Sequence, residues 1–400
     1  MFFDVKPLPG DPILALMTAY REDSSENKVD LGVGVYQDDH GSTPVLAAVS
    51  RAEALILERQ TTKAYVGIAG SEVFNAAMTT MLFGESHEVI NSKRVVTVQS
   101  AGGSGGLRVV GELINSLRPN ARIWTTTPTW PNHRPLLSAA GAKLSEIRYY
   151  DPIENGIDRE AMFTDIESIP DGDVLLLHGC CHNPTGADLT IADWTKLAEI
   201  CVRKKLLPFV DTAYQGFAEG IEEDAAGIRL LANTVSEMVA VTSCSKNFGL
   251  YRERTGAVSV VTSDATKAAA TKSHLLKIVR SMISMPPDHG ANIVATILTD
   301  ESLSTVWREE LSDMRSRMNG QRRNFVAALA KHGLAERFGF IAEQRGMFSL
   351  LGITREQIDH LQKAFHIYIV GSSRINVAGL TDAQQPYIAE ALAETLASVG

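Results

Sequence analysis

The chain has 400 residues, 44% apolar and 21% charged, with a formal net charge of −9. That length exceeds one simple core and predicts two domains, and the acidic balance, without a run of lysine or arginine, argues against a nucleic-acid partner. Apolar runs such as Val174-Leu175-Leu176-Leu177 are too short to span a bilayer, and Met1-Phe2-Phe3-Asp4-Val5-Lys6-Pro7 lacks a basic-then-apolar leader, so a cytoplasmic protein with no membrane contact is expected.

The first forty residues show no strong periodicity and are expected to pack with the C-terminal part. From about 94 to 262, β-branched and aliphatic runs (94–98, 122–126, 173–178, 207–211, 238–242 and 257–261) alternate with amphipathic stretches such as 105–117, 191–204 and 225–233. That alternation predicts an α/β fold whose mostly parallel sheet is covered by helices, with ligands gathering at the C-terminal strand edge. Beyond 262 the pattern turns helical. Residues 307–332 read as one amphipathic helix with Trp307, Leu311, Met314 and Met318 at helical spacing, followed by a smaller α+β part with strands near 347–351 and 368–370. The expected division is a large domain at 41–295 and a small one built from both chain ends, 1–40 and 296–400. The four cysteines lack metal-ligand spacing; no metal is expected, and adjacent Cys180 and Cys181 read as buried small residues.

Four stretches carry candidate chemistry. Gly102-Gly103-Ser104-Gly105-Gly106 follows a strand run and opens a helix, a natural phosphate cradle; it also fits G-x-S-x-G with Ser104 as a hydrolase nucleophile. The hydrolase needs an acid and a histidine at later strand ends. Asp211 is available, but no late strand end is read as carrying a histidine. Ser243-Cys244-Ser245-Lys246 follows the run Met238–Thr242, with Arg254 eight positions on. An amine beside hydroxyls and a guanidinium suits a lysine that bonds a phosphorylated aldehyde. The same S-x-x-K spacing occurs in β-lactamases, but the Ser-Asp-Asn and Lys-Thr-Gly they need are absent. Asp211 ends a run as either a helix N-cap or the partner of a protonated pyridine nitrogen. Tyr214 and Asn183, in turns past strand ends, could reach a phenolate oxygen, and Arg374 and Arg280 could each grip a carboxylate.

Together, Thr61-Thr62-Lys63-Ala64-Tyr65, Trp130-Pro131-Asn132-His133, Cys180-Cys181-His182-Asn183-Pro184-Thr185-Gly186, Ala213-Tyr214-Gln215-Gly216-Phe217, Ser245-Lys246-Asn247-Phe248-Gly249 and Arg374-Ile375-Asn376-Val377-Ala378-Gly379 resemble the class I aminotransferases, in their bacterial aspartate/aromatic subgroup. The resemblance runs almost end to end. It implies the pyridoxal-phosphate-dependent transferase fold of type I and a homodimer with shared active sites. By motif, Lys246 becomes the cofactor-bonding lysine and proton carrier, Asp211 the partner of the pyridine nitrogen with His133 behind it, and Tyr214 and Asn183 the phenolate donors. Trp130 stacks on the ring. Gly103, Ser104, Ser243 and Arg254 bind the phosphate, with Tyr65 from the partner subunit. Arg374 takes the substrate α-carboxylate beside the Gly34 backbone, and Arg280 from the partner takes a distal carboxylate. The chain departs from aspartate-specific relatives at Met282-Ile283-Ser284-Met285 and at Gln37, Ala64 and Ser104, where those relatives tend to carry larger or more polar groups. The resemblance therefore implies activity on aromatic as well as dicarboxylic amino acids, with an aspartate aminotransferase, or a lyase or decarboxylase using the same cofactor, left open.

Overall fold

In the computed structural model of the chain, residues 2, 4–8 and 10–399 are described; the expected small domain's ends at Met1 and Gly400, and Phe3 and Pro9 near its start, lie outside the described residues. Two compact units emerge. The larger comprises Pro44–Asn183 and Ala187–Ser316; the smaller comprises the chain up to Thr43, Pro184–Gly186 and the chain from Arg317 onward.

Among the described residues the strands, in chain order, are β1 (Val29–Asp30), β2 (Val95–Ala101), β3 (Arg122–Thr127), β4 (Lys143–Arg148), β5 (Tyr150–Asp151), β6 (Gly156–Ile157), β7 (Val174–His178), β8 (Leu207–Thr212), β9 (Met238–Ser243), β10 (Thr255–Val261), β11 (Phe348–Leu350), β12 (Ile367–Tyr368) and β13 (Arg374–Asn376). In the larger unit a seven-stranded sheet has the order β2-β10-β9-β8-β7-β3-β4. The pairs from β9 to β4 are parallel, while β10 runs antiparallel to both β2 and β9. The alternating runs thus build the expected α/β sheet. The antiparallel β10 has a simple origin: only the turn Cys244–Arg254 separates it from β9, and a parallel return would need a crossover.

The central strands are buried along their whole length, as sheets covered on both faces require. One face packs Leu175, Leu177, Val210 and Ala240 against Trp194, Leu197 and Leu231. The other packs Val98, Leu176, Phe209 and Val241 against Leu107, Val110 and Ile114 of the helix Gly102–Leu117. The helix Ile191–Lys204 spans its expected residues and begins at a capping box between Thr190 and Asp193. β4 escaped the sequence reading because it is an edge strand on which Ile147 alone is buried, leaving no alternation to see.

In the smaller unit β1 pairs with β12 in parallel and β11 with β13 antiparallel, around a core that includes Phe325, Leu329, Phe338, Ile341, Leu361, Ile375 and Leu392. The N-terminal part holds a helix, Pro12–Glu22, which the weak periodicity concealed. Asp11 caps it through the amides of Ile13 and Leu14 and Pro12 opens it, but none of its residues is buried, so no apolar face marks it. The long helix runs Glu301–Ala330, six residues earlier at its start than the apolar spacing indicated. Among the described residues no helix is long and apolar enough to cross a membrane.

Candidate active site

The larger unit's site lies where strand ends deliver side chains into one cavity of about 540 Å³, lined by Gly103, Ser104, Leu107, Trp130, His178, Asn183, Asp211, Ala213, Tyr214, Ser243, Ser245, Lys246 and Arg254. The helix Gly102–Leu117 starts directly at the end of β2. Glycine at 102 is favoured by the left-handed φ of +69°, with Arg254 Nη2 2.7 Å from where a Cβ would sit, and at Gly103 a Cβ would crowd Ser243 Cβ at 3.1 Å. The unpaired amides of this first turn, the hydroxyls of Ser104, Ser243 and Ser245, and the Arg254 guanidinium form a cup suited to a phosphoryl group.

Asp211 near the end of β8 is 8% exposed, and its Oδ2 lies 2.8 Å from His133 Nε2. Burial pushes this carboxyl up, but the hydrogen bond from His133 and the nearby Lys246 ammonium prevail and hold it below its ordinary value, so it stays ionised. Behind it runs a polar chain. Thr129 Oγ1 lies 2.8 Å from His133 Nδ1 and 3.1 Å from His178 Nε2, and Thr126 Oγ1 lies 3.1 Å from His182 Nε2. Burial, with His133 close by, depresses His178 to about 3; burial and the neighbouring imidazoles of His178 and His133 likewise keep His182 neutral.

Asn183 follows β7, in a loop fixed by Asp188, whose carboxylate accepts from the amides of Cys181 and His182 at 2.7 Å each. Its Nδ2 lies 3.5 Å from Tyr214 Oη. Lys246 Nζ lies 5.5 Å from the Tyr214 ring centroid, and Trp130 meets His133 edge-on at 5.4 Å. Cys180 and Cys181 are buried beside Asp224. The Cys181 contact lowers the Cys180 thiol, yet burial carries it to about 11.

Gly103, Ser104, Trp130, Asn183, Asp211, Tyr214, Ser243, Lys246 and Arg254 therefore share one cavity. Tyr65 and Arg280 belong to the same unit but do not line it; both are exposed, Tyr65 to 91%. The sequence reading missed His178 and the threonines Thr126 and Thr129. His178 corrects the statement that no late strand end carries a histidine: it ends β7 and stands in register with Asp211. It does not restore the hydrolase, because its Nε2 is engaged by Thr129 and a base of pKa about 3 cannot hold the Ser104 proton near neutrality.

In the smaller unit Arg374 is 5% exposed. Its Nη2 donates to the Gly32 carbonyl at 2.9 Å, and its guanidinium lies 4.1 Å from the Phe348 ring centroid. Asn376, two residues on, donates to the carbonyls of Val33 and Val35 at 2.6 and 2.7 Å, fixing the segment around Gly34. A Cβ at Gly34 would meet Phe348 at 3.1 Å.

A family model for aminotransferases of class I and II matches residues 26–392. The chain is 46% identical to an aromatic-amino-acid aminotransferase of Pseudomonas aeruginosa, with 99% of each chain covered. It is 44% identical to an aspartate aminotransferase of Salmonella typhi, covering 99% of this chain and all of the relative. A crystal structure of an aromatic-amino-acid aminotransferase from Burkholderia pseudomallei, covalently bound to pyridoxal phosphate, superimposes with a TM-score of 0.97 at 39% identity over 99% of each chain. With its strand-end lysine, buried carboxylate and glycine-opened helix in one cavity, the chain belongs to the class I and II aminotransferases.

Proposed function

We propose that this chain moves the amino group of aromatic (phenylalanine, tyrosine, tryptophan) and dicarboxylic (aspartate, glutamate) amino acids to 2-oxo acids such as 2-oxoglutarate, with pyridoxal 5′-phosphate as cofactor. The observation that carries this reading is the shared cavity of Lys246, the ionised Asp211 and the amide-rich start of the helix Gly102–Leu117. The donor set fits each part of that cofactor: a cup for its phosphate, a buried carboxylate for its pyridinium nitrogen, Asn183 and Tyr214 for its phenolate oxygen, and an amine for its aldehyde. When bound, the cofactor draws electrons from the substrate Cα and makes the Cα proton removable.

The chain's own groups do the rest. Asp211, steadied by His133, keeps a proton on the ring nitrogen by charge pairing. Asn183 and Tyr214 would hold the phenolate side, and Trp130, which lines the same cavity, would pack against the ring. The amide of Gly103, the hydroxyls of Ser104 and Ser243, and Arg254 hold the phosphate. Lys246 Nζ takes the proton from Cα and delivers it onward. Because the amino donor leaves as an oxo acid before the acceptor enters, ping-pong kinetics follow. In the smaller unit Arg374 takes the α-carboxylate bidentately, beside the Gly34 backbone; in the larger unit Trp130 and Asn183 are likewise assigned to substrate.

Tyr65 and Arg280 are assigned to a second copy's site, the first on its phosphate and the second on a distal carboxylate. Tyr65 is 91% exposed, its chain neighbour Val66 and the helical Leu57 are exposed as well, and this supports a homodimer that covers such apolar groups. The expected cofactor-binding domain, 41–295, and small domain, 1–40 with 296–400, correspond to the two units except that 296–316 fall in the larger and Pro184–Gly186 in the smaller; the enzyme is placed in the cytoplasm. The apolar stretch Met282-Ile283-Ser284-Met285 beside Arg280 supports acceptance of aromatic side chains. The test is kcat/KM for phenylalanine against aspartate with 2-oxoglutarate as acceptor. Ratios within about a hundredfold are expected, and an aspartate preference above about a thousandfold would leave an aspartate aminotransferase instead.

A further inference from the structure

Arg322, on the helix Glu301–Ala330, is fully buried, a costly place for a cation. Its fork is aimed at backbone. Nη1 donates to the Ile341 carbonyl at 3.1 Å and to Ser349 Oγ at 2.7 Å; Nη2 donates to the carbonyls of Arg345, Gly346 and Phe348 at 3.2, 2.7 and 2.8 Å. Ser349 Oγ also donates to Gln344 Oε1 at 2.5 Å. One guanidinium thus gathers the segment 341–349 around itself, including a turn that needs φ +79° at Gly346.

That segment is the support of Arg374. Phe348 supplies the ring on which the Arg374 guanidinium rests and limits the space at Gly34. In the β11–β13 ladder Leu350 pairs with Arg374, Ser349 with Ile375 and Phe348 with Asn376, so two of the residues Arg322 holds, Phe348 and Ser349, lie opposite the strand that presents Arg374. Strands of three residues hold register weakly by themselves. The planar fork, with donors in fixed directions, supplies what the ladder lacks.

We propose that Arg322 is a positioning residue for substrate carboxylate binding, acting through Phe348 and β11 on Arg374. The proposal rests on the reading of Arg374 as the α-carboxylate ligand. Arg322→Lys keeps the charge, but its single head group cannot reach five acceptors. KM for amino acids and oxo acids alike is expected to rise about tenfold or more while kcat stays within about threefold. The dissociation constant of 3-phenylpropanoate, a carboxylate without an amino group, is expected to weaken by the same factor in calorimetry. Ser349→Ala, which removes one acceptor and is the milder change should Arg322→Lys fold poorly, is expected to shift both quantities in the same direction by less. In the double variant with Arg374→Lys the losses are expected to be less than additive, since both act on one contact.

A lowered melting temperature with KM and the 3-phenylpropanoate constant unchanged in both single variants would overturn the proposal and leave Arg322 as a structural staple. Full additivity with Arg374→Lys would overturn it as well. If Arg374→Lys itself leaves KM unchanged, the carboxylate assignment fails and this inference falls with it, a result distinct from failure at Arg322 alone.

Discussion

The two units hold their functional groups by different means. In the larger unit His178, Asp211 and the Ser243–Lys246 turn stand at or next to the ends of adjacent strands, and the register sets His178 opposite Asp211. A seven-stranded sheet with two apolar faces holds those ends, so each side chain needs only a short turn to reach the cavity. In the smaller unit Arg374 sits on a three-residue strand paired with another of the same length. Its setting depends on a few polar contacts, from Arg322 to backbone carbonyls and from Asn376 to Val33 and Val35. The difference is one of redundancy. Chemistry in the sheet unit should be lost when a reacting group is removed while the fold stays intact; binding in the smaller unit should respond to single polar contacts.

The largest effect is expected at Lys246. Lys246→Ala removes the amine but no core packing, and should lower kcat by about 10⁴-fold or more with the melting temperature nearly unchanged. Single-turnover absorbance with glutamate measures it, and a loss under tenfold would place the proton carrier elsewhere. Asp211→Asn comes next, because it keeps the shape but removes the charge that the pyridinium nitrogen requires. A fall in kcat of about 10²–10³-fold is expected, with KM little moved. A KM effect of that size instead would mean Asp211 holds substrate. Arg374→Lys should act in the opposite pattern, raising KM about 10–100-fold through loss of a bidentate charge-assisted pair. If it lowers kcat as deeply as Lys246→Ala does, the division of labour between the units is wrong.

The same difference decides what was legible in the sequence. Lys246, Asp211 and Asn183 follow uninterrupted apolar runs, so pattern alone puts them at or just past strand ends, and the glycines at 102–106 mark a phosphate cradle, while the approach of Arg254 to Gly102 and of Ser243 to Gly103 is visible only in the folded chain. His178 belonged to the same pattern but was absorbed into its strand, since nothing in an apolar run marks its last residue as facing a cavity. Arg322 could not have been read. An arginine within an amphipathic helix looks like a solvated face, and only the folded chain places five acceptors around it. The 143–148 strand and the helix after Asp11 were missed for the opposite reason: they bury too little to print a period. The assignment of Tyr65, and of Arg280 to a partner's site rather than merely to a carboxylate, comes from motif resemblance, and their exposure on this chain shows why no local pattern pairs them with a site.

An effect on stability alone, which leaves kcat and KM untouched, separates the units by pH. His178 has an ordinary value of 6.5 and is held to about 3 by burial and the neighbouring His133, so the folded chain keeps it neutral where the unfolded chain takes a proton. The stability this represents is whole above about 6.5 and is lost as the pH falls from there toward 3, at about 1.4 kcal/mol per unit. His182 carries the same sign. In the smaller unit Asp23 is held to about 2 by the amide of Ser25 and by the side chains of Tyr368 and His366. Its contribution is present above its ordinary value of 3.8 and is lost only between there and about 2, a lower window. Urea unfolding at pH 6.5, 5.5 and 4.5 therefore reads the histidines and not Asp23. His178→Asn should flatten that dependence by about 1.4 kcal/mol per unit while Asp23→Asn leaves it unchanged. An unaltered slope in His178→Asn would mean that the chain behind Asp211 opens to water before the rest of the larger unit unfolds, and the sheet would then be a less rigid holder of its strand ends than its packing implies.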